Sequence, residues 1–184
     1  SFNLEKKTNF SSNLIPVTNR IFFIYLSLTL LIFLLFLISG IRLFDSLNLT
    51  MTAISSGGFI PTDSLNKIIK NNFQTAVLCF AFFLSIFNFY LFYNIILKRN
   101  NLREHREDIY LFLLAIIFSM IFYLANDLSL MNVLLTVLSS MSNSGISNIK
   151  IPDNFSLFFI ILALLGGSVL STTSGLKFLR IYIL

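Results

Sequence analysis

Two short glycine-bearing stretches, Ile54-Ser-Ser-Gly-Gly-Phe-Ile-Pro61 and Ser142-Asn-Ser-Gly-Ile146, hold the residues best suited to bind an ion without a charged side chain. Each lies between long apolar runs, where non-helical backbone is tolerated only if protein buries it or it lines a watery cavity. Glycine allows successive residues to alternate in handedness, and that alternation can turn a row of carbonyls toward one axis, where they replace a cation's water shell. The residues placed on that path are Ser55, Ser56, Gly57 and Gly58 in the first loop, and Ser142, Asn143, Ser144 and Gly145 in the second. The two glycines at 58 and 145 are 87 residues apart. A third stretch, from Gly166 to Lys177, contains Gly166, Gly167, Ser171, Thr172, Thr173 and Gly175 and interrupts the last apolar run. A continuous helix there would lose about 1 kcal/mol per glycine relative to alanine. The segment is expected to be a flexible intramembrane obstruction or a kink whose hydroxyls satisfy freed carbonyls, and Lys177 beside it either to snorkel to the interface or to oppose cation passage with its charge.

More familiar chemistry does not fit. A phosphate loop needs Gly-Lys-Ser/Thr at a helix start, whereas Leu176 separates Gly175 from Lys177 and no hydroxyl follows. A nucleophilic serine needs a neighbouring base, and the sole histidine, His105, is placed across the membrane from both loops. With no histidine or cysteine beside it, His105 reads as a solvated loop residue rather than a metal ligand. Cys79, the only cysteine, lies in an apolar run and reads as a packed thiol. No enzyme activity is expected, and no cofactor or structural metal.

The elements that must position these loops are membrane helices. Of 184 residues, 56% are hydrophobic and 11% charged, against about 25% charged in soluble domains. The net charge of +5 does not form a nucleic-acid stripe, because lysine and arginine gather at the ends of apolar segments. Lys6, Lys7 and Arg20 precede the first run, and Lys98, Arg99, Arg103 and Arg106 follow the second. The positive-inside rule makes these ends cytoplasmic, so the two loops open outward.

The expected order is a cytoplasmic connector over 1–20, a first repeat over 21–97 with its loop at 54–61, a cytoplasmic loop over 98–108, and a second repeat over 109–184 with its loop at 142–147 and a broken inner helix at 166–177. Ile21 to Ile41 is long enough to cross a hydrocarbon core of about 30 Å. A short helix capped by Asp45 or Ser46 runs to about Ser55, and Phe73 to Leu97 returns as one crossing. Ile109 to Leu124 crosses outward, Ser129 to about Met141 repeats the short helix, and Phe155 to Leu165 begins the last descent. Both short helices aim C-termini at the loops, and the partial negative charge there favours a cation. Asn88, inside the second crossing, reads as an interhelical hydrogen-bonding group. The fold class is all-α integral membrane, with the unit of outer helix, pore helix, loop and inner helix present twice.

The segment Leu165-Gly-Gly-Ser-Val-Leu-Ser-Thr-Thr-Ser-Gly-Leu-Lys-Phe-Leu-Arg180 resembles the Gly-Gly-x-x-Gly-Ser-Thr-x-Gly-Gly-Ile-Lys-x-x-Arg pattern of Trk/Ktr/HKT-type potassium uptake proteins. Ile24-Tyr25-Leu-Ser-Leu-Thr29, Gly40-Ile-Arg-Leu-Phe-Asp45, Ile54-Ser-Ser-Gly-Gly-Phe59 and Asn88-Phe89 resemble that family in the same order. The chain departs from the pattern at Ser144, Ile146, Leu170 and Ser174. The resemblance implies four repeats in one polypeptide, of which this chain matches the second and third, as a fragment. It also implies a selectivity filter with one glycine per repeat, here Gly58 and Gly145, and a gating loop at Gly166 to Lys177. The expected cargo is K⁺, with Na⁺ as the other candidate. The expected partners are the lipid bilayer, the remaining two repeats, a second copy in a homodimer and cytosolic nucleotide-binding regulatory subunits contacting Arg99, Arg103 and Arg106, with no nucleic acid. The expected location is the plasma membrane, in bacteria the inner membrane, as a multi-pass protein. The competing reading is a non-conducting scaffold or sensor whose re-entrant loops only pack against each other.

Overall fold

A computed structural model describes residues 2–96, 106–178 and 180. Among these residues the chain is all-helical, with no strand. The helices are α1 (Phe2–Ile38), α2 (Leu43–Ser55), α3 (Asn72–Ile86), α4 (Phe89–Ile96), α5 (Arg106–Ala125), α6 (Leu130–Met141) and α7 (Ser156–Leu165). Short 3₁₀ turns at Leu65–Lys67 and Asp153–Phe155 lead into α3 and α7.

Two helical stretches, Thr18–Ile38 and Arg106–Ala125, are apolar and long enough to cross a membrane. At 1.5 Å per residue each spans about 30 Å. Their outward faces carry exposed Leu26, Leu30, Leu34 and Ile38 on α1, and Leu113, Ile116, Met120 and Leu124 on α5. In water such faces would drive association; in a bilayer they meet lipid. The chain is therefore built as a membrane protein. Hydroxyls within these helices bond back to the preceding turn, as Thr29 Oγ1 does to the Tyr25 carbonyl at 2.7 Å and Ser119 Oγ to the Ala115 carbonyl at 2.6 Å.

The short helices α2 and α6 pack inside this frame. α2 lies against α1 and α3, while α6 lies against α3, α5 and α7. The core between them contains Leu49 and Ala53 of α2, Leu78 and Phe82 of α3, Leu135 and Met141 of α6, and Leu162 of α7, each fully buried. Phe122 of α5 stacks edge-on to Phe155 at 5.3 Å and Phe159 at 5.0 Å, locking the last descending segment to its outer helix.

Three elements differ from the sequence reading. α1 continues back through Pro16 to Phe2, so the connector is helical. α2 begins at Leu43 with Arg42 in the capping position, which places Asp45 in the first turn rather than at the cap. There its carboxylate complements the positive end of the helix. Ser46, the other proposed cap, instead bonds the Ile41 carbonyl at 3.2 Å. The expected single crossing from Phe73 to Leu97 is divided at Phe87 and Asn88 into α3 and α4. The break has a tertiary cause, because groups from α5 and the 166–172 segment occupy the backbone positions that a continuous helix would use.

Gln74 fixes the start of α3. Its Oε1 accepts the Lys70 amide at 2.8 Å, and its Nε2 donates to the Ser39 carbonyl at 3.1 Å. The side chain is buried, so losing it leaves partners unsatisfied at about 1–3 kcal/mol. Gln74→Leu is expected to lower the thermal unfolding midpoint of the detergent-purified protein; an unchanged midpoint would show that water satisfies those groups instead.

Candidate ion-coordinating loops and intramembrane loop

The two glycine-bearing loops have the same backbone grammar. Left-handed residues fall at Ser56 (φ 56°) and Gly58 (φ 73°) in the first, and at Asn143 (φ 60°) and Gly145 (φ 66°) in the second. Both pairs are two residues apart, and the 87-residue offset maps one pair onto the other. Each loop leaves directly from the C-terminal end of a short helix.

The donors of both loops turn back onto those helix ends. The Gly57 amide donates to the Thr52 carbonyl at 3.0 Å. The Ser144 and Gly145 amides donate to the Ser139 carbonyl at 3.0 and 3.3 Å, and the Ile146 amide to Ser139 Oγ at 2.6 Å. No hydrogen bond among the described residues ends on a backbone carbonyl of 55–58 or 142–145. The second loop thus returns the amides of 142–146 to the end of α6, the first returns those of Ser56 and Gly57 to the Thr52 carbonyl, and the carbonyls at 55–58 and 142–145 receive no hydrogen bond. Thr52 Oγ1, Ser56 Oγ and Asn143 Nδ2 are likewise buried without a partner. Ser55 Oγ is engaged, donating to the Met51 carbonyl at 2.6 Å.

The loops touch. A Cβ on Gly58 would overlap the Ser144 carbonyl oxygen, so this glycine is needed for close approach as well as for its positive φ. Gly145 has open space around its Cβ position. Beside it, a cavity of about 400 Å³ runs between α6 and α7, lined by Ser140, Asn143, Ile151 and Phe159 among others.

The third predicted stretch is non-helical from Gly166 through Lys177 and is tied to the break between α3 and α4. The Ser168 amide donates to the Ile86 carbonyl at 3.0 Å, the Phe89 amide to the Leu170 carbonyl at 3.2 Å, and Thr172 Oγ1 to the Ser85 carbonyl at 3.3 Å. Gly167 permits this approach, since a Cβ there would lie 2.6 Å from the Ile86 carbonyl and 2.7 Å from Ser171 Oγ. Inside the segment, the Gly167 amide donates to Thr173 Oγ1 at 2.8 Å, and the Leu176 amide reaches the Leu164 carbonyl at 3.0 Å.

Two residues that sequence reasoning missed complete the arrangement. Asp108 Oδ1 accepts the Asn88 amide at 3.0 Å, and Glu107 Oε1 accepts the Val169 amide at 3.1 Å. Asp108 is buried. The available signal was a pair of acids opening an apolar helix, where they also suit its dipole. Asn88 lies at the α3–α4 break rather than inside a continuous crossing, and the bond to Asp108 is made by its backbone amide, not by the side chain on which the sequence reading relied. Cys79 is a buried free thiol. His105, Lys98, Arg99 and Arg103 lie outside the described residues. No cluster of metal-ligating side chains occurs among the described residues.

These features define a class: a helical membrane protein with paired re-entrant loops and an interrupted inner helix. Its fold is that of the crystallised potassium transporter TrkH from Vibrio parahaemolyticus, with a TM-score of 0.78 and 19% identity over 92% of this chain and 40% of that one. An uncharacterized cation transporter of Methanocaldococcus jannaschii is 30% identical over 173 residues, which are 92% of this chain and 36% of the relative. The chain thus spans less than half the length of either protein. No model of a known protein family matches it. The resemblance to Trk/Ktr/HKT-type proteins holds at the level of the fold, and the relative is named as a transporter rather than an enzyme.

The asymmetry between the two loop glycines is testable by stability. Gly58→Ala must push against a neighbouring carbonyl as well as adopt a positive φ, whereas Gly145→Ala meets only the φ penalty, about 1 kcal/mol. Gly58→Ala is expected to lower the unfolding midpoint of the full-length protein clearly more than Gly145→Ala. Equal losses would show that the loops do not touch as described.

Proposed function

We propose that this chain supplies two repeats, over 21–97 and 109–184, of a transporter that carries K⁺ through a carbonyl-lined filter in the plasma membrane, the inner membrane in bacteria. The observation that carries the reading is the pair of touching loops whose carbonyls at 55–58 and 142–145 receive no hydrogen bond. Unpaired carbonyls buried in a dry scaffold would be costly; a dehydrated cation supplies the missing partner. The helix C-termini of α2 and α6 add partial negative charge and so select cations over anions. Neutral oxygen ligands suit a monovalent ion, K⁺ or Na⁺.

The segment from Gly166 to Lys177 serves in this reading as the intramembrane gate, held to the α3–α4 break and to Glu107. Its attachment to the start of α5 offers a route by which cytosolic nucleotide-binding subunits, docking near Arg99, Arg103 and Arg106, could act on it. The complete protein would contain two further repeats and assemble as a homodimer.

Rb⁺ uptake by cells making the complete protein tests the filter. Replacing both Gly58 and Gly145 by Asp is expected to abolish uptake and the rescue of an uptake-deficient host on low potassium. Unchanged uptake at matched expression would reject the pore and favour the scaffold reading. A shortened 166–175 segment is expected to raise Rb⁺ flux in liposomes severalfold; parental flux would leave the segment as a packing feature.

A further inference from the structure

The side chain of Lys177 turns into its own loop. It donates to the Ser171 carbonyl at 3.3 Å, to Ser171 Oγ at 3.2 Å and to the Thr173 carbonyl. All three ammonium protons thus end on neutral oxygens, and the Glu107 carboxylate acts on the charge only through space. A basic residue that only needs water at the end of a membrane segment extends toward the interface, whereas this one is half-buried and its backbone takes a left-handed φ of 59°. That conformation costs a non-glycine residue about 1–2 kcal/mol and persists where its surroundings hold it.

The Ser171 hydroxyl is oriented by bonds that do not involve the lysine. Ser171 Oγ donates its proton to the Ser168 carbonyl at 2.7 Å, so in its 2.8 Å contact with Thr173 Oγ1 it is the acceptor. Thr173 Oγ1 in turn accepts the Gly167 amide at 2.8 Å. Ser171 Oγ therefore presents lone-pair density to the ammonium, as the two carbonyls do. A compact set of neutral carbonyl and hydroxyl oxygens around one positive charge is a donor set for a monovalent cation; divalent sites gather carboxylates.

We propose that Ser171 and Thr173 form a monovalent-cation site that Lys177 fills with its own ammonium, and that an alkali ion takes the same oxygens when the lysine withdraws. This rests on the reading of the chain as part of a cation path and adds a second binding place, in the intramembrane loop. The lysine then acts as a tethered competitor of the transported ion rather than as a distant repulsive charge.

Anomalous diffraction from crystals of the full-length protein soaked in Tl⁺ tests it. The expected result is a peak among the Ser171 and Thr173 oxygens in Lys177→Met and none there in the parent. Lys177→Gln serves the same purpose if the methionine variant is not recovered. A peak at the filter loops with none at Ser171 and Thr173 in either variant would overturn the proposal while leaving the filter intact. A peak at Ser171 and Thr173 but none at the filter loops would support the site and contradict the filter. A peak at this position in the parent, with the lysine still bonded, would overturn its role as occupant, and no peak anywhere would overturn both.

Discussion

Every peptide group placed at membrane depth needs a partner, and this requirement organises the chain. Helices meet it internally; the three non-helical stretches do not, and each solves it differently. The loops at 54–61 and 142–147 return amides, those of Ser56 and Gly57 in the first and of 142–146 in the second, to the last turns of α2 and α6, and the carbonyls at 55–58 and 142–145 stay unengaged. The segment at 166–177 instead exchanges backbone bonds with a second interruption, the α3–α4 break, so that two incomplete helices satisfy each other. The first solution exposes a row of acceptors to something other than protein. The second makes a segment fastened from several sides: to Ser85 and Ile86, to Phe89, and to Glu107 at the start of α5.

The loops depend on their neighbours for position. α6 packs on α3, so the inner helix of one half supports the pore helix of the other, and Gly58 of the first loop meets Ser144 of the second. Only a residue without a Cβ permits that approach. The pair of loops is thus a joint product of both halves of the chain.

Much of this was legible in the sequence. Glycines at 58 and 145 stand out because they interrupt apolar runs at equal offsets, and their handedness follows from residue type. The helical span of α5 and the interruption after Leu165 could be read from length, hydropathy and glycine content. The break at Phe87 and Asn88 could not: neither residue is a helix breaker, and the cause lies in Asp108, Ser168 and Leu170, distant in sequence. Glu107 and Asp108 fell in the expected cytoplasmic loop, since only the folded chain brings them to the amides of Val169 and Asn88. The expected connector contains Pro16, yet α1 passes through it. The close approach of Gly58 to Ser144 depends on how α3 and α6 pack, which no local pattern encodes.

The central claim is that the touching loops face an external, cation-occupied space. Cysteine accessibility in the full-length protein tests it directly, with Gly57→Cys and Asn143→Cys made one at a time after any cysteines outside this chain are replaced; Cys79 is buried. A membrane-impermeant cationic thiosulfonate applied from outside should modify both positions, and K⁺ should slow the reaction where choline does not. Modification indifferent to K⁺ at both positions would contradict the claim.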